Sequence, residues 1–138
     1  MSLEYQTDSV SINWESLKAD LIADDFHNGR TTQQLKQSFE NSQIQIYCLD
    51  GDQCIATARA LSDGICNAYV VDVWTFTPYR QQGIAARMME MIISGCPGQH
   101  IYLFTDDAVE FYKKTGFVER PTGLEIVSGE WLQNATSE

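Results

Sequence analysis

Proline is scarce: three in 138 residues, and no Pro/Gly/Ser-rich tract interrupts the chain. No repeat or low-complexity segment appears, so one domain over residues 1–138 is expected. Basic residues are also few. Nine Lys and Arg stand against 19 Asp and Glu, a formal net charge of −10. Such a balance speaks against a nucleic-acid binder, which must neutralise phosphates, and against docking on an anionic membrane. No apolar run approaches the ~20 residues that span a bilayer. Met1–Gln6 lacks the basic-then-apolar pattern of a signal peptide, so a cytoplasmic protein is expected. The four cysteines, Cys48, Cys54, Cys66 and Cys96, form no CxxC pair and fit no zinc spacing. They read as buried free thiols. Asp24-Asp25-Phe26-His27 is a poor ligand set, one histidine beside two adjacent carboxylates, and no metal is expected. No Cys–His or Ser–His motif offers a nucleophile with its base.

What is present is enough to fold. Hydrophobic residues make up 43% and aromatics 11%, and a chain this long buries about 68–70% of its unfolded surface. Leu3–Thr7 reads as a short strand. Asn13 is placed to cap a helix whose apolar positions run from Trp14 to Phe26, ended by Asn28-Gly29-Arg30. Thr31 and Gln34 have capping-box spacing and open a second helix with Leu35 and Phe39. Gln43–Leu49, the turn Asp50-Gly51-Asp52, Gln53–Leu61, the turn Ser62-Asp63-Gly64 and Ala68–Thr77 read as an antiparallel meander closed by Pro78. Arg59 and Asp63 are read as part of that second turn. After Gly83 the period changes to helical through Ile84, Met88, Met91 and Ile92. The Met88-Met89-Met91 cluster reads as core. Ile101–Phe104 suggests a buried apolar strand. Asp106 is placed to cap a helix reaching Thr115, with Lys113 and Lys114 at its negative end and Gly116 beyond it. Phe117–Glu119 and Leu124–Val127 suggest closing strands, Trp131 and Leu132 pack on the sheet or on a second subunit, and Ser137 and Glu138 fray. The order is that of a mixed α+β sheet with helices packed on it.

The segment Pro78-Tyr79-Arg80-Gln81-Gln82-Gly83-Ile84-Ala85-Ala86-Arg87 joins the strongest strand to an amphipathic helix. A helix start carries four unpaired amides and a positive dipole end. Gly83 lets backbone approach a ligand, Ala85 keeps the next position small, and Arg80 and Arg87 add charge. Such a turn suits a pyrophosphate, although one glycine at a strand–helix turn is also an ordinary structural device. It is no P-loop, since GxxxxGK[ST] is absent, and the third glycine of a dinucleotide fingerprint is missing.

Arg80-Gln81-Gln82-Gly83-Ile84-Ala85 resembles the R/Q-x-x-G-x-G/A motif of the GCN5-related N-acetyltransferase (GNAT) superfamily. Ala108-Val109-Glu110-Phe111-Tyr112-Lys113-Lys114-Thr115-Gly116-Phe117 resembles that family's second signature, A-x-x-φ-Y-x-x-x-G-F. Ala58–Gly64 is similar to a strand–turn of small bacterial members, and the element order from Leu3 to Val127 looks like theirs. The resemblance implies a central, mostly antiparallel sheet of about six or seven strands, splayed at an acyl-CoA site, with about four helices packed on it. It implies acetyl-CoA as donor, a small-molecule or peptide amine as acceptor, direct transfer in a ternary complex and a homodimer as a common state.

In those terms Trp74, Thr75 and Phe76 are the strand that pairs with the pantetheine arm. Arg80 and the amides of Gln81, Gln82, Gly83, Ile84, Ala85 and Ala86 hold the pyrophosphate. Tyr112 protonates the departing thiolate. Its bland alternative is a packed aromatic beside Phe111. Thr105 stands seven residues before Tyr112, where many members carry a cofactor-contacting asparagine. The base is open: Asp72, on the same strand face as Trp74, or His100, at a position where some members place a glutamate. Either residue has an ordinary structural reading as well. Two rivals remain, a non-catalytic acyl-CoA sensor and an interaction domain without a cofactor. Polyamines, aminoglycosides, amino acids and protein amines all stay open as acceptors.

Overall fold

The computed structural model describes residues 2–132. Strand β1 (Leu3–Gln6) is followed by two capped helices. In α1 (Trp14–Ala23), the Asn13 side chain accepts from the Ser16 amide at 3.0 Å. In α2 (Thr32–Glu40) the capping box is complete: Thr31 Oγ1 accepts from the Gln34 amide, and Gln34 Oε1 accepts from the Thr31 amide. Helix α1 stops three residues short of Phe26, because Asp25 (φ 54°) and Asn28 (φ 57°) take left-handed conformations that a helix cannot continue.

Strands β2 (Ile44–Asp50), β3 (Gln53–Ser62) and β4 (Asn67–Thr75) form the expected meander. A 3-10 turn (Thr77–Tyr79) leads to α3 (Ile84–Gly95), then to β5 (His100–Tyr102) and α4 (Val109–Lys114). The sheet order is β1-β2-β3-β4-β5, antiparallel except for the parallel β4–β5 pair.

Each sheet face has its own core. Trp14, Leu17, Leu21, Leu35 and Phe39 of α1 and α2 pack on Tyr47, Leu49 and Trp74. On the opposite face Ile84, Met88, Met89 and Ile92 of α3 pack on Ile46, Ile55 and the small residues Ala56, Ala58 and Ala60. The alanines explain the close seating of α3, since a methyl leaves room for the helix to approach. Burying each Ile or Met contributes about 1.5–3 kcal/mol.

The far end of the chain differs from expectation. The sheet has five strands among the described residues, not six or seven. Phe117–Glu119 and Leu124–Val127 form none, and Val118, Leu124 and Ile126 stay exposed. A strand needs a ladder partner, and the open edge at this end is β5, only three residues long. β5 is also no buried apolar strand, for His100 and Tyr102 are exposed. Asp106 does not cap α4, whose N-cap is Ala108 without a side-chain bond; in the turn before it Thr105 Oγ1 accepts from the Ala108 amide at 3.0 Å. Trp131 and Leu132 are exposed. Cys48, Cys54 and Cys96 are buried free thiols, but Cys66 is an exposed one. Ser137 and Glu138 lie outside the described residues.

Candidate active site

Strands β4 and β5 are paired only where Asn67–Tyr69 face His100–Tyr102. β5 then ends, while β4 runs on to Thr75. From Val70 onward the side of β4 turned toward β5 has no ladder partner among the described residues. The two chains part there and leave Trp74, Thr75 and Phe76 at the wider end of the gap.

β4 itself is bent. Its register with β3 shifts between Thr57 and Arg59, and Asp72 sits at φ 55°. The Thr57 hydroxyl donates to the Asp72 carbonyl at 3.0 Å, which fixes this bulge. Beyond it the Phe76 amide donates to the Ile55 carbonyl at 2.8 Å.

The loop that follows is held from outside. Asp24, the C-cap of α1, accepts from the Trp74 indole N–H at 2.9 Å, the Thr77 amide at 3.1 Å and the Thr77 hydroxyl at 2.7 Å. The Arg80 guanidinium lies 3.5 Å from the same carboxylate and donates through Nε to the Thr75 carbonyl at 2.9 Å. Desolvation pushes the Asp24 pKa up, but the hydrogen bonds from Thr77 and Trp74 outweigh it and hold the group below the usual carboxylate value. The Tyr79 hydroxyl donates to Asp50 at 2.6 Å, tying the loop to the β2–β3 turn. Composition and spacing give no hint of the Asp24 anchor, because its partners lie about fifty residues away.

Gln81 (φ 64°) and Gly83 (φ 81°) turn the chain into α3. A Cβ at Gly83 would meet nothing within 4 Å. Its glycine is therefore required by the left-handed backbone, not by crowding within the protein. The amides of residues 81–86 make no hydrogen bond to another described residue, as expected for the first turn of a helix. They form an open row of donors at the positive end of a 12-residue helix, suited to an anion.

Tyr112 lies on α4 with its ring 4.9 Å from that of Phe111 and 5.8 Å from that of Phe117. It packs against the same core cluster as Phe76 and Leu103. Its hydroxyl has no hydrogen-bond partner among the described residues. Burial, with a smaller push from Asp107, raises its pKa, so the phenol stays protonated at neutral pH. Thr105 is near the start of the same helix, its hydroxyl oxygen engaged by Ala108. His100 is exposed at the closed end of the β4–β5 pair, its ring 4.1 Å from that of Tyr102.

Asp72 is corrected by its surroundings. Arg30 grips its carboxylate with two nitrogens at 2.9 and 3.0 Å, and Arg59 donates through Nε at 2.6 Å. Desolvation would raise its pKa, but the two guanidiniums overcome it and lower it. A carboxylate so paired is a poor proton acceptor. Asp72 therefore clasps the α1–α2 loop and β3 to the bulge, and the base role expected of it does not fit. Arg59 likewise belongs to this cluster. Asp63 makes the turn without it, accepting from the amides of Ile65, Cys66 and Asn67, with Ser62 Oγ accepting from the Gly64 amide.

Comparison with known proteins agrees with this geometry. The model of the acetyltransferase (GNAT) domain family matches residues 41–119. Among solved structures, a GNAT-family protein of Xanthomonas campestris superposes with a TM-score of 0.78 at 19% identity, covering 92% of this chain and 94% of that one. A GNAT-family acetyltransferase of Streptococcus pneumoniae gives 0.77 at 23% identity, covering 94% and 100%. An acetyltransferase of Clostridium acetobutylicum, solved with acetyl-CoA, gives 0.67 at 19% identity, covering 91% and 96%. At these identities the structures speak for the fold, while the family model spans the split strand, the open loop and the Tyr112 helix together. The chain belongs to the GNAT acetyltransferase family.

Proposed function

We propose that this protein transfers an acetyl group from acetyl-CoA to a primary amine, directly and without an acyl-enzyme. The observation that carries the reading is the row of unpaired amides from Gln81 to Ala86, set at the start of α3 beside the gap between β4 and β5. Those amides, with Arg80, hold the diphosphate of the donor. The edge of β4 that has no ladder partner among the described residues from Val70 onward runs beside the pantetheine arm at Trp74, Thr75 and Phe76, with Thr105 as a further contact. There the Phe76 amide is already bonded to Ile55 and the Thr75 carbonyl to Arg80.

The chemistry then needs little else. The amine lone pair attacks the thioester carbonyl carbon, a C–N bond forms and the C–S bond breaks. A main-chain N–H on the parted strand polarises the carbonyl as charge develops on its oxygen. Tyr112 gives its proton to the departing sulfur, and its raised pKa keeps the phenol protonated until that step. The proton lost by the amine passes to water or to His100, the exposed one of the two candidate bases.

Thiol release from acetyl-CoA over an amine panel tests the reading, together with thermal unfolding in the presence of CoA. Ligand at 100 Kd should add about 2.7 kcal/mol of stability. Turnover supports the enzyme. A CoA shift with no turnover on any amine supports a sensor built on this scaffold, and no shift at all removes the donor site.

A further inference from the structure

Helices α1 and α2 cover only part of their sheet face. Ladder partners share a face, and Leu61 pairs with Tyr69 while Tyr69 pairs with Tyr102. All three lie on the α1/α2 side: Arg59, two residues before Leu61 on β3, stacks 5.6 Å from the Phe39 ring of α2. Yet Leu61, Tyr69 and Tyr102 are 40%, 38% and 44% exposed. Phe104 extends this floor, edge-on to Tyr69 at 6.2 Å. Gly123 passes beside it: a Cβ there would come within 2.6 Å of the exposed Phe104 ring and push it aside. The floor begins at Tyr69 and Tyr102, the last pair before β4 and β5 part. It therefore adjoins the slot in which the thioester is placed.

One end of this floor is charged. Arg59 faces Val71, the second β4 residue past that last pair. It shares the single carboxylate of Asp72 with Arg30, and the two arginine side chains are only 14% and 8% exposed. Two guanidiniums and one carboxylate leave one positive charge uncompensated within the cluster. Arg30 spends all three nitrogens on His27, Ser38 and Asp72. Arg59 uses Nε on Asp72 and Nη1 on Ser38 and Ser42, while its Nη2 makes no hydrogen bond to a described residue. Desolvated charges favour a partner of opposite sign.

We propose that this face recognises the acceptor, and that the acceptor is an amine on an aromatic or apolar body that carries a carboxylate. The carboxylate meets Arg59 Nη2, the body lies on Leu61, Tyr69, Tyr102 and Phe104, and the amine points into the gap beside them. The inference rests on the acetyltransferase reading and narrows its acceptor. It disfavours polyamines, although the chain as a whole is acidic, because the charge at this face is positive.

The test compares phenylalanine, phenethylamine (the same body without the carboxylate) and spermidine by thiol release from acetyl-CoA, with CoA binding followed separately by thermal shift. Phenylalanine should exceed phenethylamine in kcat/KM by about tenfold or more, as for a charge-assisted hydrogen bond, with spermidine lowest. Arg59→Gln should bring that ratio near one while the CoA shift is retained. Tyr69→Ser, on an exposed side chain that the core does not need, should lower kcat/KM for both aromatic amines and leave CoA binding intact. Preference for spermidine or phenethylamine overturns the proposal. So does a ratio unmoved in Arg59→Gln, or a CoA shift with none of the three amines acetylated, outcomes that leave the donor site standing. Absence of any CoA shift in the unaltered protein overturns the acetyltransferase reading itself.

Discussion

The two regions proposed as donor and acceptor sides of this molecule are built in opposite ways. Twelve consecutive residues, from Trp74 to Ala85, make most of the donor side, and the working groups are main-chain amides placed by a left-handed glycine and a helix start. The acceptor side is a meeting of side chains distant in sequence, with Arg30 and Asp72 42 residues apart. A main-chain site tolerates change in most side chains so long as the backbone path survives. A side-chain cluster depends on the charge its members share, and losing the one carboxylate between two arginines strands both. The difference predicts which substitutions should damage folding and which should damage binding.

The largest effect on stability should come from Asp72→Ala. It strands two nearly buried guanidiniums, and breaking such a cluster costs about 3–5 kcal/mol; urea unfolding measures it. The pH dependence has a definite sign. Because the folded pKa of Asp72 is depressed, its contribution is complete above the ordinary aspartate range and is lost as pH falls through the lower folded value. The unaltered protein should therefore weaken on acidification more steeply than the variant. If the two curves run parallel, Asp72 is not held by charge and the contrast between the two sides collapses.

Tyr112→Phe should act on chemistry alone. The ring contacts to Phe111 and Phe117 remain, and the lost hydroxyl had no partner among the described residues. We expect kcat to fall by about 10²-fold, the lower end for a general acid, with unfolding unchanged. A stability loss without a kcat loss returns Tyr112 to a packing role.

These sites were not equally legible in the amino-acid sequence. The capping box at Thr31 and Gln34 and the turn at Asp50-Gly51-Asp52 are local devices that spacing revealed, whereas the loop from Arg80 to Ala86 stood out through its resemblance to a family motif, one glycine at a strand–helix turn being ordinary. Helix α1 ends earlier than the Asn28-Gly29-Arg30 stop because Asp25 goes left-handed, which nothing in its neighbours announces. The bulge at Asp72 depends on how β3 registers against β4, so the ion cluster it creates has no signature in either segment. Leu124–Val127 has a plausible strand composition. A strand also requires an edge to pair with, and three residues of β5 provide little. Asp72 looked available as a base for the same reason: its partners are invisible until the sheet and the α1–α2 loop are brought together.

Gly83→Ala sharpens the donor half of the comparison. The added methyl meets no protein atom, so the cost is the left-handed backbone, about 1 kcal/mol of stability. It also puts a Cβ where the proposed diphosphate site lies, and on that proposal CoA affinity should drop about tenfold by calorimetry. Unaltered affinity would move the anion site elsewhere. The smallest effect belongs to Asn13→Ala, which removes the cap at the start of α1. About 1 kcal/mol of stability should go, with kcat and KM unchanged.

The most direct measurement is a CoA titration followed by backbone amide resonances of the full chain. Large, saturable shifts should appear at Gln81–Ala86 and along Trp74–Phe76, with little change at the Thr31 cap. If millimolar CoA leaves the 81–86 amides where they were, the open amides at the start of α3 do not bind the donor, and the account of this protein as an acetyl-CoA-dependent enzyme is wrong.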